Sequence, residues 1–185
     1  MRMIIKKIAR KVREFFRQIR PVIIDGIIRQ GYRKEAPKII IIEPTNICNL
    51  KCSCCPQGNS NEGRKKGFMS REIFTKILNN IDLPIKDIYL YLHGEPMLNK
   101  ELDFFVSQIE SLNGVITTIF SNGYSIDIEL LKKILKYKKV CFSFSMDILN
   151  KEWYEHIRQP AKYEKAIEFL QEIDTVFFEN RQGKK

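Results

Sequence analysis

Four of the chain's five cysteines fall within eight residues, at positions 48, 52, 54 and 55 of the stretch EPTNICNLKCSCCP. Thiolates are the ligands of iron–sulfur clusters and of structural zinc. Cys48, Cys52 and Cys55 have the spacing C-x3-C-x2-C. A four-iron cluster is commonly held by four cysteines, so a set of three leaves one iron open to a substrate or cofactor, much as a catalytic zinc keeps one position free. The alternatives are a structural zinc, which needs a fourth ligand, or a group of plain reduced thiols. Cys54 adjoins Cys55 and is poorly placed to share one tetrahedron with it, and His93 and Cys141 are distant along the chain. Neighbouring cysteines are also poorly placed to pair, so a metal in a reducing cytoplasm is expected in preference to a disulfide framework.

Something must hold that loop. From Lys38 onward the pattern is strand then helix, repeated. KIIIIE (38–43), DIYLYL (87–92), VITTIF (115–120) and KVCFSFS (139–145) are short apolar, β-branched or aromatic runs, the first of them expected to be buried on both faces. Between them lie helical segments: REIFTKILNNI behind Ser70 as N-cap, NKELDFFVSQIESL, DIELLKKILKYK, and KEWYEHIR with KYEKAIEFLQEI. TVFF (175–178) reads as the start of a fifth strand. Alternating strands and helices predict an α/β fold with parallel strands and right-handed crossovers. Each strand leads into an unusual polar or small-residue group: the cysteine loop, HGEP (93–96), SNG (121–123) and SMD (145–147). In parallel α/β architectures such groups converge on one rim.

The chain has 185 residues and a net charge of +10, with 44% apolar and 29% charged residues. Residues 1–37 carry eleven Lys or Arg against three acids, so most of the excess belongs to an N-terminal arm and the body is nearly neutral. A nucleic-acid-binding surface on the body is therefore not expected. Within the arm, Ile4, Ile5, Ile8, Val12, Phe15, Phe16 and Ile19 follow helical spacing up to Pro21. This amphipathic helix either docks its stripe on the body or lies at an anionic membrane surface through residues 1–20. No run of 18 apolar residues predicts a transmembrane helix, and the N-terminus lacks the apolar core and cleavage site of a secretory signal.

In their order, CNLKCSCCP, HGEP, SNG and SFSMD resemble the radical S-adenosylmethionine (SAM) superfamily, most closely its peptide-modifying maturases and sulfatase-maturating members with a SPASM extension. The resemblance covers 38 to about 178. It implies an incomplete (βα) partial TIM-type barrel, preceded by the arm (1–37), with residues 38–185 forming about four βα units and the start of a fifth. By the same resemblance, Cys48, Cys52 and Cys55 ligate a 4Fe-4S cluster and SAM chelates the open iron. Reductive cleavage of SAM then yields a 5′-deoxyadenosyl radical that abstracts hydrogen from a substrate. Gly94 and Glu95 correspond to the segment that binds the methionyl amino group. Ser145 and Arg158 correspond to residues contacting the SAM carboxylate, and Asn122 to a cofactor contact or rim-shaping residue. The resemblance further implies a peptide substrate in preference to a carbohydrate or small molecule, a flavodoxin or ferredoxin as electron donor, and a cytoplasmic location, with the arm as a peripheral contact at the inner membrane face.

Two departures accompany this. Cys54 stands where the family usually has an aromatic residue, as a small filler, and Cys141, in mid-strand, is expected to be buried. The family core has six strand–helix units, and no cysteine follows Cys141. The alternative to a catalyst is thus a truncated, non-catalytic iron–sulfur and SAM-binding remnant, or a fragment that needs a partner.

Overall fold

The computed structural model describes residues 37–57, 63–146 and 150–182. The helix expected in the basic arm lies outside the described residues. Four strands, β1 (Ile39–Ile42), β2 (Asp87–Leu90), β3 (Ile116–Ser121) and β4 (Val140–Phe144), form one parallel sheet in the order β1-β2-β3-β4. Helices α1 (Arg71–Asn79), α2 (Leu102–Glu110), α3 (Ile128–Ile134) and α4 (Lys151–Ile157) alternate with the strands, and α5 (Tyr163–Gln182) follows α4. Among the described residues no helix is long and apolar enough to cross a membrane.

The sequence specifies the helix starts. Ser70, Asp127 and Asn150 each accept a hydrogen bond from the backbone N–H three residues on, at 3.4, 3.0 and 3.0 Å. Such caps stabilise a helix by about 0.5–2 kcal/mol. The helices cover one face of the sheet. Ile42, Ile88, Leu90 and Ile119 point into a core with Phe74, Leu102, Phe105, Val106, Leu131 and Ile134. Phe74 and Phe105 stack at 4.2 Å between ring centroids and join α1 to α2. Burial of each such side chain is worth about 1.5–3 kcal/mol relative to exposure.

Three expectations are corrected. Residues 175–178 are not a strand but the last turns of α5. Ala166, Ile173 and Val176 are its buried residues, and Phe177 meets Phe142 and Phe144 at about 6 Å. Helical periodicity carried from Tyr163 outweighs the local β preference of TVFF. Likewise, β1 is not buried on both faces: Ile39 and Ile41 are 44% and 49% exposed, because β1 is an edge strand and the helices cover only the other side. Cys141 is exposed for the same reason, since the two-residue period of β4 turns Phe142 and Phe144 to the helices and Cys141 away from them.

Candidate functional site: the cysteine loop and its struts

The cysteine loop leaves β1 at Ile42 and is fastened before its first cysteine. The Thr45 hydroxyl donates to the Gly67 carbonyl at 2.7 Å, while Asn46 donates to the Lys65 carbonyl at 3.0 Å and accepts from the Gly67 N–H at 2.8 Å. Asn99 Nδ2 donates to the carbonyls of Pro44 and Met69, at 2.8 and 3.1 Å. Further on, the Ser53 N–H donates to the Ile157 carbonyl at 3.0 Å and the Lys51 N–H to that of Gln159, so the loop lies against the end of α4. Leu50 is buried with Tyr154, Ala161 and Ala166, and Cys48 and Cys52 pack against this small cluster.

The loop after β2 closes on it from the other side. The Glu95 N–H donates to the Ile47 carbonyl at 2.9 Å. A Cβ placed on Gly94 would lie 1.9 Å from the Thr45 carbonyl oxygen. Glycine is therefore required at 94 by close approach of two backbones. Glu95, only 2% exposed, accepts hydrogen bonds from the Met97 N–H (3.0 Å), the Ser121 hydroxyl (2.8 Å) and the Asn122 N–H (2.7 Å). Burial pushes its carboxyl up, against the opposing pull of those three donors. The carboxylate is thus a strut between the β2 and β3 loops.

Asn122 carries the connection to the first cysteine. Its Nδ2 donates to Asn49 Oδ1 at 2.8 Å and lies 3.7 Å from Cys48 Sγ, while its Oδ1 accepts from the Tyr124 N–H at 2.8 Å. Asn49 in turn donates to the Tyr124 carbonyl at 2.6 Å. The Leu50 N–H also points at Cys48 Sγ, at 3.4 Å. From the β4 end, the Ser145 N–H donates to the Ser121 carbonyl at 2.8 Å, and Met146 Sδ lies where a Cβ on Gly123 (φ +68°) would intrude. Ser145 is exposed at this rim, and Asp147 lies outside the described residues. Arg158, at the C-cap of α4, is close enough to Cys52 to act on it electrostatically. The four strand-end groups therefore do meet, through backbone and side-chain bonds.

Burial raises the thiols of Cys48 and Cys52 above the usual range. Glu95 and Cys55 push the Cys48 thiol up further, and Cys48, Cys54 and Cys55 do so for Cys52, whereas the Leu50 N–H and the Asn122 amide favour the thiolate at Cys48, and Arg158 favours it at Cys52. Among the described residues no three His, Cys, Asp or Glu side chains stand as a ready site for a single metal ion. One tetrahedral ion with metal–sulfur bonds of about 2.3 Å needs sulfurs within about 4 Å of each other. A cluster whose cysteines bind different irons needs a wider spread, and hydrogen-bond donors aimed at sulfur suit it. Thiols that repel in each other's presence, with an amide and a guanidinium beside them, fit a cationic iron–sulfur centre. Cys54 is exposed.

Sequence reading missed Asn49 and gave Ser121 no role beyond its place in SNG. The signal for Asn49 was its place directly after the first cysteine, in ICNLKC, where only a polar side chain can bridge to another loop.

The profile of the radical SAM superfamily matches residues 42–180. A GTP 3′,8-cyclase of Aliarcobacter butzleri is 29% identical over 138 residues, 73% of this chain and 42% of that protein. An AdoMet-dependent heme synthase of Methanosarcina barkeri is 25% identical over 147 residues, 77% and 42% of the two chains. The chain thus spans about two fifths of the length of these relatives. Among solved structures, SuiB of Streptococcus suis bound to S-adenosylmethionine has a TM-score of 0.62 at 22% identity, over 76% of this chain and 32% of that one, and SuiB bound to its precursor peptide SuiA also scores 0.62. Superfamily members use a 4Fe-4S cluster and SAM, and the partial TIM-type architecture is theirs. With the profile spanning three quarters of its length, this chain belongs to the radical SAM superfamily.

Proposed function

We propose that Cys48, Cys52 and Cys55 hold a 4Fe-4S cluster and that the chain binds and reductively cleaves SAM to act on a peptide. The observation that carries this reading is the network from Cys48 through Asn122 to Glu95, which links the cysteine loop to two other strand ends. When bound, the cluster and SAM together supply a carbon-centred radical for hydrogen abstraction. The residues of this chain orient and shield. Asn122 and the Leu50 N–H stabilise sulfur charge on Cys48, and Arg158 does so for Cys52 and is the proposed contact of the SAM carboxylate. Gly94 lets the HGEP backbone approach the cysteine loop, and Ser145 offers a hydroxyl at the same rim.

A peptide substrate is supported by the motif likeness to peptide-modifying maturases and by the fold shared with a protein crystallised with its precursor peptide. A flavodoxin or ferredoxin is the proposed electron donor. Residues 1–37 are the proposed basic arm, which would bring a cytoplasmic protein to an anionic inner-membrane surface. Vesicle binding equal with and without residues 1–20 would remove that part.

Anaerobic reconstitution with iron and sulfide tests the whole. The intact chain is expected to take up a reducible cluster and to release 5′-deoxyadenosine from SAM. Alanine at Cys48, Cys52 or Cys55 should abolish both, whereas Cys54→Ala should keep both. Iron uptake without any deoxyadenosine would leave a binding remnant, and loss of iron in Cys54→Ala equal to the other three would overturn the ligand set.

A further inference from the structure

The sheet has a second face. Turned away from the helical core, the alternate strand residues form registered rows: Ile41, Tyr89, Thr118 and Cys141, and above them Tyr91, Phe120 and Ser143. Tyr89, Tyr91 and Phe120 form one aromatic surface, with centroids 4.5, 5.5 and 6.4 Å apart and planes inclined at 44–60°. None of the three rings belongs to the core. The surface continues into exposed Ile41 and Ile39. It also runs directly into the rim, because Asn122 follows Phe120 by two residues, about 7 Å along a strand.

The charges around it are one-sided. Among the described residues no lysine or arginine occupies a strand position on this face, whereas Asp87 and Glu43 stand at its two ends. Lys139, just before β4, directs its ammonium to the Leu112 carbonyl at 2.6 Å. At the rim, Arg64 pairs with Glu43 at 2.7 Å, and its other amino group meets His93 Nδ1 at 3.3 Å. A polyanion on this floor would meet Asp87 at one end, an already paired Glu43 at the other, and no strand cation among the described residues. An apolar or aromatic group would cover rings that are otherwise left half-exposed.

We infer that Tyr89, Tyr91 and Phe120 seat an uncharged aromatic or aliphatic side chain of the peptide substrate, and that this floor rejects phosphorylated and acidic substrates. The inference rests on the peptide reading above and names which peptide residue is received.

Cys141 reports on occupancy, since its exposed thiol lies in the same row as Tyr89. The reconstituted protein is treated anaerobically with N-ethylmaleimide, and alkylation is followed peptide by peptide by mass spectrometry, with Cys54 as the internal control. The probes are N-acetyl-phenylalanine amide, N-acetyl-aspartate amide and GTP at equal concentration. The phenylalanine probe is expected to slow Cys141 alkylation several-fold without affecting Cys54, while the other two leave it unchanged. Phe120→Ala and Tyr91→Ala should each abolish most of the protection, and Phe120→Leu should retain it. Equal protection by GTP or the aspartate probe, or no protection by the phenylalanine probe, overturns the inference. The wild-type contrast stands even if a variant fails to fold. Deoxyadenosine release is measured on the same preparation, so loss of SAM cleavage with protection intact sinks the proposed activity and not the floor.

Discussion

Gly94→Ala is the sharpest perturbation of this site, because it adds one methyl group at a place with no room. The new Cβ would sit 1.9 Å from the Thr45 carbonyl oxygen and 2.9 Å from that of Ile47, and real Cβ atoms do not come within 3.0 Å. The two loops must separate by about 1 Å, and both obstacles are backbone, which cannot swing aside as a side chain does. That separation stretches the 2.9 Å bond from the Glu95 N–H to the Ile47 carbonyl out of hydrogen-bond range. Adding an overpacking cost of about 1–3 kcal/mol to a lost hydrogen bond of about 0.5–1.5 kcal/mol gives about 1.5–4.5 kcal/mol. For a chain of this length that corresponds to a fall in Tm of roughly 5–15 °C. Gly67→Ala is the matched control, since nothing lies within 4 Å of its Cβ position. Thermal unfolding of both variants, with iron content measured after reconstitution, decides the matter. Gly94→Ala should lose stability and cluster together while Gly67→Ala changes neither. A Gly94→Ala protein as stable and as iron-rich as Gly67→Ala would refute the close approach.

Three further outcomes are expected. Glu95→Gln turns an amide NH2 toward a backbone N–H and orphans one buried donor, a cost of about 1–3 kcal/mol in urea unfolding. Because burial raises the Glu95 carboxyl above 4.5, the native state keeps a proton that the unfolded chain releases, so stability falls as pH rises through that window. The wild-type advantage over Glu95→Gln should therefore be largest at the acid end of the window and narrow above it, and an advantage that grows with pH would mean the three donors outweigh burial. Asn122→Asp replaces a donor to Cys48 Sγ by a negative charge, so redox titration of the cluster should give a more negative midpoint than wild type. Thr175→Ala exchanges an exposed helical threonine, bonded to the Gln171 carbonyl at 2.9 Å, for a better helix former. It should leave stability unchanged or raise it by about 0.5 kcal/mol, whereas a strand at 175–178 would lose stability.

The legible parts of the fold were those where a local pattern and the tertiary environment agree. The four strands lie within a residue or two of their apolar runs because each is short, β-branched or aromatic, and flanked by turn residues. Ser70 was visible as a cap because a cap is a local contact. TVFF misled because four residues cannot distinguish a strand from the buried stripe of a helix, and the deciding signal begins a dozen residues earlier at Tyr163. Cys141 and the outer face of β1 misled for another reason. Which side of a strand is covered depends on where the helices pack, and a run of four isoleucines carries no alternation to reveal it.

The site divides in the same way. The proposed ligand set is a one-dimensional property, since the spacing of Cys48, Cys52 and Cys55 is written in the chain. Coupling between ligands is not, because it depends on bonds such as Asn122 to Cys48 that span 74 positions and involve residue types common in any loop. Glu95 shows what the motif leaves unsaid, since its burial at 2% exposure under three hydrogen-bond donors depends on residues far along the chain. Glu95 acts on the cysteine region both through its charge, which opposes ionisation of Cys48, and by fixing the Asn122 backbone at 2.7 Å so that the Asn122 side chain can face Asn49 and Cys48. Disturbing Glu95 should therefore alter the surroundings of Cys48, an effect that Asn122 variants with Glu95 intact should reproduce in part.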